Sequence, residues 1–465
     1  MGVFIERPRY GINQRTKMQH LPPIVRPILI VAVSLLSFGP AQATDYFVSP
    51  DGSDLNTGTS QSAPWETMNR VNRVHLQAGD RVLLKGGMTF IGSLALNEED
   101  RGSLLSPIVI TSYGGGRALV VTEDGAGLRA HNTAGIAISD IDFTAAAGSN
   151  RTTTGIEFYN DSEFNVLLEG IWIKNADISG FGTNGISIGA WNGPNGFRHI
   201  RIENIRVHHN GMNGFVTYGE EPSFAIQDIH LIRVVAHDNK GSLNAKPNSG
   251  SGIVLGSVLE GTVEMSTSYN NGADGNAGIG IWAYASSHIV MRFNESYANH
   301  TAGDSDGSGF AFDGGVADSI MEFNYSHDND GSGFAMNQYE GAPIWARNIV
   351  RNNISIVDGR RNSYGAIQIW SADSALKDAL FEDNIVVVGR SADGISSALV
   401  FRGGTENFKF QNNAFFSLRD SMLIPALPNQ DGTLFLENRC WAGAFALEYS
   451  APGMCDTLMF LDSRE

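Results

Sequence analysis

Charge is scarce in this 465-residue chain: 17% of its residues are charged, against about 25% in an average soluble domain. The shortage is one-sided, 32 basic against 49 acidic residues for a net charge of -17, which argues against nucleic acid or an anionic membrane as partner. Only two cysteines occur, Cys440 and Cys455, with no His-x-x-x-His beside them, so no structural zinc site is expected. The apolar run Ile28 to Phe38 is too short to cross a bilayer and no later run is longer, so no membrane span is expected. Gly114 to Gly116 is not followed by Gly-Lys-Ser/Thr, which removes a phosphate-binding loop. Lysine is missing altogether between Lys246 and Lys377.

What is present is glycine, 54 residues without a Gly-X-Y period, so the chain is not collagen-like; 42% hydrophobic residues exclude wholesale disorder. Arg7, Arg9, Arg15, Lys17 and Arg26 precede the apolar run, and Ala41-Gln42-Ala43 follows it. This order reads as a secretory signal peptide over residues 1–43, with Met1 or Met18 as its start, and hence as a secreted or periplasmic protein. Its removal takes away five basic residues and Glu6, leaving the mature chain at -21. In an oxidising compartment Cys440 and Cys455 are expected to form a disulfide.

The middle of the chain repeats. Asn175, Asn204, Arg233, Thr267, Asn294, Asn324, Asn353, Asn384 and Asn413 recur at intervals of 27 to 34 residues. Short alternating strands precede many of them, such as Ile171-Trp172-Ile173-Lys174, and strands opened by glycine follow, such as Gly185-Ile186-Ser187-Ile188 and Gly309-Phe310-Ala311-Phe312. Period-two strands with Gly/Asn/Asp turns and no helical spacing predict an all-β fold, a single-stranded parallel β-helix, and the resemblance described below implies that it is right-handed. The recurring asparagines are expected to stack as an internal ladder. Trp65, Met68, Val71 and Leu76 share a helical face within residues 64–76, predicting a capping helix. The organisation expected is an N-terminal cap and first coil (44–100), repeats (101–420) and a C-terminal cap with Trp441, Phe445 and Phe460 (421–465), in one monomeric chain.

The stretch Asp45 to Phe90 carries Tyr46, Val48, Ser49, Gly52, Asp54, Gly79 and Asp80 in a pattern that resembles the opening of secreted bacterial right-handed β-helix proteins acting on polysaccharides. That group includes lyases, hydrolases and epimerases. Further on, the hexapeptide Asp-Gly-Ser-Gly-Phe-Ala stands twice, at Asp306 to Ala311 and Asp330 to Ala335. Copies on successive coils would put Asp306 and Asp330 about 5 Å apart, needing a cation or a proton between them; hard oxygen ligands favour calcium. Asp-Gly turns alone explain the same residues. The region is similar to the calcium site of family-nine polysaccharide lyases, and that resemblance implies Asp328 and Asp330 as calcium ligands, with Asp306 added from the repeat. Ser308 and Gly333 depart from the family's aspartates.

Three functions follow. Calcium-assisted β-elimination of an acidic, uronate-containing polysaccharide needs a base; the resemblance implies a lysine, and the cationic candidates here are Arg360 and Arg361, with Lys377 further on. A glycoside hydrolase needs only paired carboxylates from Asp306, Asp313, Asp328 and Asp330. A non-catalytic carbohydrate-binding or adhesive protein would use aromatics such as Trp191, Trp282, Tyr284, Trp345 and Trp370 as sugar platforms, Trp345 and Trp370 being the substrate-binding candidates. His208, His209, His237 and His327 could form a metal cluster, but their spacing follows the repeat, which favours turn residues bonding the backbone. A charge of -21 opposes a polyanionic substrate unless a cation or basic groove intervenes, or the substrate is neutral.

Overall fold

The computed structural model describes residues 43–460 apart from 149–152, 246–248, 373–374, 393, 419, 427–429, 444–445 and 447–452. The expected signal peptide, save Ala43, and Phe445 lie outside the described residues. Among these, no helix is long and apolar enough to cross a membrane.

The chain winds into a right-handed parallel β-helix in which each mature coil contributes three strands. Val258–Glu264, Thr267–Tyr269 and Ile279–Tyr284 make one such coil. All three pair in parallel with their counterparts one coil on, Ser287–Arg292, Glu295–Tyr297 and Ser308–Phe312. The third strands form an eleven-stranded sheet, from Leu94–Leu96 to Ser397–Arg402, called here the groove sheet. Alternation sends Ile156, Phe158, Ile186, Ile188, Phe215, Ile253, Ile281, Phe310, Phe334 and Ile367 into a continuous core, and the intervening residues outward.

Corners recur because one residue per coil takes a left-handed conformation. Asp140, Asn175, Asn204, Arg233, Met265, Phe293, Phe323, Asn352, Asp383, Asn412 and Glu437 all have φ between 52° and 57°. This column corrects the expected asparagine ladder. Asn175 and Asn204 are only partly buried corner residues and Arg233 is exposed. From the next coils on, the residue after the corner turns inward instead: Ser266, Asn294, Asn324, Asn353, Asn384, Asn413 and Asn438. The asparagines among them pass amide N–H bonds from coil to coil at 2.9–3.1 Å. Earlier strands such as Gly196–His208 run 13 residues straight through the corner and carry no inward asparagine there, which is why one alignment of asparagines mixed two columns.

A second ladder, Asn210, Asn239, Asn271, Asn299, Asn329 and Asp358, runs along another corner at 2.8–3.0 Å. It explains the strand-opening glycines. A Cβ at Gly280 or Gly309 would come 2.8 Å from the Nδ2 of Asn299 or Asn329, closer than any real Cβ contact, so these positions accept only glycine. Each ladder amide satisfies backbone groups that a sharp corner would otherwise leave unpaired inside the core.

At the N-terminal opening the expected helix shrinks to a single turn, α1, Met68–Val71, with Thr67 as its N-cap. Trp65, Met68, Val71 and Leu76 are nonetheless all buried. At the other end Cys440 and Cys455 are bonded, their Cα atoms 5.9 Å apart. Parallel pairing continues through Arg439–Ala442 and Thr457–Phe460, so the C-terminal segment adds strands to the stack.

Candidate active site

The outward face of the groove sheet carries a second apolar cluster, separate from the core, made of Val254, Ile279, Trp282, Ala311 and Ala335 with Val216 and Tyr284 against it. Above it lies a depression of about 300 Å³ lined by Asn213, Val216, Val254, Trp282, Tyr284, Asp313 and Tyr339. Trp282 is held by its Nε1–H to Ser251 Oγ at 3.0 Å, and Tyr339 Oη donates to Glu221 Oε1 at 3.2 Å.

Asp313 follows the strand Ser308–Phe312 and keeps the outward alternation after Ala311. Its Oδ1 accepts from the Gly314 N–H at 2.7 Å, yet burial pushes its carboxyl up to about 6. Asp306 precedes the same strand with a left-handed φ of 52°. Its N–H donates to Tyr364 Oη at 2.8 Å, and Tyr364 in turn reaches Gln368 on the outward face of the sheet. The turn is thus anchored over the groove. Burial, and after it the negative charge of Asp313, push the Asp306 carboxyl up to about 7. Both groups keep some solvent access. Both carboxyls are therefore harder to ionise than an ordinary aspartate, Asp306 the more so.

The other residues expected to form the site gather elsewhere. Asp328 sits at a left-handed corner, with its Oδ2 2.9 Å from His327 Nδ1 and its Oδ1 3.6 Å from Arg360 Nη1. Asp330 accepts from the Thr301 N–H at 3.3 Å and faces His300 at 3.4 Å and Arg361 at 3.8 Å. The hydrogen bond from His300 and the neighbouring cations hold its carboxyl below the usual range despite burial. The two hexapeptides do pair, Phe310 with Phe334 and Ala311 with Ala335, but the charge that acts on the Asp306 carboxyl is that of Asp313. Around Asp328 and Asp330 the chain supplies guanidinium and imidazole groups, so this donor set balances its own charge and does not suit a calcium seat built with Asp306.

Trp345 corrects the expectation of a sugar platform. It is 1% exposed, donates from Nε1 to the Phe312 carbonyl at 3.0 Å and stacks on Phe408. Trp370 is 36% exposed and lies on the groove face, paired with Asn337 on one side and Arg402 on the other. The histidines form part of an external stack of parallel rings, His208, His237, Tyr269, Tyr297 and His327, with centroids 4.6–5.0 Å apart.

Glu221, Tyr339 and Tyr364 were not anticipated. Glu221 and Tyr339 lie in loops after groove-sheet strands and Tyr364 just before one, where period-two patterning ends and no sequence signal marks them. Tyr284 and Asp313 do share a signal, since each stands four residues after a strand-opening glycine, Gly280 and Gly309.

No family model matches the chain. A stretch of 77 residues is 38% identical to a lacto-N-biosidase of Bifidobacterium longum subsp. longum, covering 16% of this chain and 5% of that protein's length. A GH136 lacto-N-biosidase from Eubacterium ramulus superposes on 85% of this chain and 68% of its own with a TM-score of 0.59 at 16% identity. The A-module of a mannuronan C-5 epimerase from Azotobacter vinelandii superposes on 82% of this chain and 90% of its own, with a TM-score of 0.52 at 14% identity. The chain shares the parallel β-helix fold of these two proteins.

Proposed function

We propose that the protein is a glycoside hydrolase whose acid and second carboxylate are Asp306 and Asp313. The observation that carries this reading is an aromatic-lined depression with Asp313 in its wall, whose charge also acts on Asp306, both carboxyls being raised well above an ordinary aspartate. Hydrolysis of a glycosidic bond needs a carboxylic acid to protonate the departing oxygen. It also needs a carboxylate to activate water or to attack the anomeric carbon. Asp306, the more strongly raised of the two, takes the first role, and Asp313 the second. Trp282, Tyr284 and Tyr339 offer sugar-stacking faces and hydroxyls beside them, and burial aided by Glu221 keeps the Tyr284 hydroxyl protonated, its pKa near 12.

The lacto-N-biosidases on the same fold support a hydrolase over a lyase. Elimination would need a base beside the substrate. Arg360 and Arg361 instead face Asp328 and Asp330, so no step here runs through them or through calcium. Incubation with neutral and uronate oligosaccharides tests the reading. New reducing ends without ultraviolet absorbance of an unsaturated product are expected, and are lost in Asp306→Asn and Asp313→Asn. An unsaturated product, or undiminished release by both variants, would overturn it.

A further inference from the structure

The groove sheet carries an ordered column of outward residues that the paired carboxylates do not account for. Read along the solenoid, the residues in register are His131, Tyr159, Gly189, Tyr218, Gly256 and Tyr284, with Asp313 next. Tyrosine and glycine alternate coil by coil. The alternation has a physical reason: any side chain at Gly189 would run into the ring of Tyr218, and any at Gly256 into the ring of Tyr284. Tyr218 and Tyr284 therefore lie down over the preceding coil. At the far end the rings of Tyr159 and His131 stack at 6.0 Å. Beyond them opens a hollow of about 880 Å³, lined in part by Asn132, Asp161 and Phe164.

From this pattern we infer that Tyr284, Tyr218 and Tyr159 form a binding track for an extended, neutral, β-linked glycan that lies along the solenoid axis and enters the Asp306/Asp313 site from the N-terminal side. The inference rests on the hydrolase reading for where cleavage falls. Tyrosines two coils apart repeat every ~9.6 Å, the length scale of a disaccharide unit in an extended β-linked chain, so each ring meets every second sugar. Aromatic faces are the natural partners of the C–H faces of pyranoses.

Charge selects against a uronan. Glu157 is matched by Arg129 at 3.0 Å, but Glu221 raises both Tyr284 and Tyr339, Glu157 raises Tyr218, and Asp306 and Asp313 end the track. A polyanion entering this field would be repelled, whereas hydroxyl and acetamido groups would find carboxylate acceptors.

Isothermal titration tests the track, using the full chain carrying Asp313→Asn so that bound glycan stays intact. The ligands are cello-, xylo-, manno- and N-acetyllactosamine-type oligosaccharides of two to eight residues, with oligogalacturonates and oligomannuronates beside them. Affinity for one neutral series is expected to climb with each added disaccharide. Adding Tyr159→Ala should erase the last increment, about fivefold on the longest ligand, and Tyr159→Phe should restore it, which a mere folding defect would not. Affinity flat with length, an unchanged Tyr159→Ala, tighter binding of uronates, or no binding in any series would overturn the track. Failure of the hydrolase reading looks different: length-dependent binding persists while the unaltered chain releases no reducing ends.

Discussion

The two copies of Asp-Gly-Ser-Gly-Phe-Ala are identical and lie on neighbouring coils, yet their leading aspartates are electrostatic opposites. Asp306 adopts a left-handed backbone, and burial and then the charge of Asp313 push its carboxyl up to about 7. Asp330 turns to His300, the Thr301 N–H and Arg361, which hold it below the ordinary range. The hexapeptide is constant, so the difference comes from groups outside it: Asp313 at the far end of the same strand for Asp306, and His300, Thr301 and Arg361 from neighbouring coils for Asp330. A repeat supplies the side chain, and its neighbours decide whether that group is an acid or an ion-pair partner.

The largest expected effect that separates the copies is kinetic. Asp306→Asn and Asp313→Asn should each lower glycan hydrolysis by about 10²–10⁴-fold with the circular dichroism spectrum retained. Asp330→Asn should stay within a few-fold of the unaltered chain, and equal losses at both copies would collapse the distinction. Activity against pH should be bell-shaped, with limbs near the pair's raised values, and Asp306→Asn should remove the alkaline limb.

Stability against pH should also diverge. Asp306 is raised when folded, so its contribution is complete at acid pH and lost as pH climbs through about 7. Asp330 is lowered when folded, so its contribution is present at neutral pH and lost as pH falls through its depressed value. Thermal unfolding should therefore show Asp306→Asn raising the Tm at pH 8 and Asp330→Asn lowering it, by a few degrees each.

A smaller effect is expected at Asp358, the last member of the second ladder, which burial raises to about 6 although Ser355 and Asn329 donate to it. Asp358→Asn replaces a carboxyl that ionises inside the stack by the amide used at the preceding ladder positions, and should raise the Tm slightly above pH 7 and not below pH 5. Smallest of all should be the response to calcium. Because Asp328 and Asp330 already face protein cations, millimolar calcium or its chelation should leave Tm and activity unchanged, and a rise of several degrees with calcium would restore the lyase-like reading.

Much of the fold was legible in the chain. Period-two strands, strand-opening glycines and asparagine-rich corners report requirements that act within a single coil: an inward apolar face, room for a ladder amide, a left-handed corner. The ladder register was not legible, because Asn204 and Asn294 look alike in sequence while one occupies the corner and the other follows it inward. Trp345 was misplaced for a related reason, since an indole between strands suits a core or a groove equally until its neighbours, Phe312 and Phe408, are known. The Tyr159, Tyr218 and Tyr284 column is recoverable by aligning repeats on Gly155, Gly214, Gly252 and Gly280, but the unequal turns between coils hide it from a fixed period.

The sequence by itself determined that this chain coils into a β-helix with a disulfide-tied end, because hydrophobic alternation and glycine placement are local properties repeated many times over. Only the tertiary structure decided which carboxylates work together. The charge of Asp313 acts on Asp306 from the far end of the strand that separates them, Asp330 meets Arg361 from the following coil, and a carboxyl group's proton affinity depends on the charges and solvent that the fold brings around it.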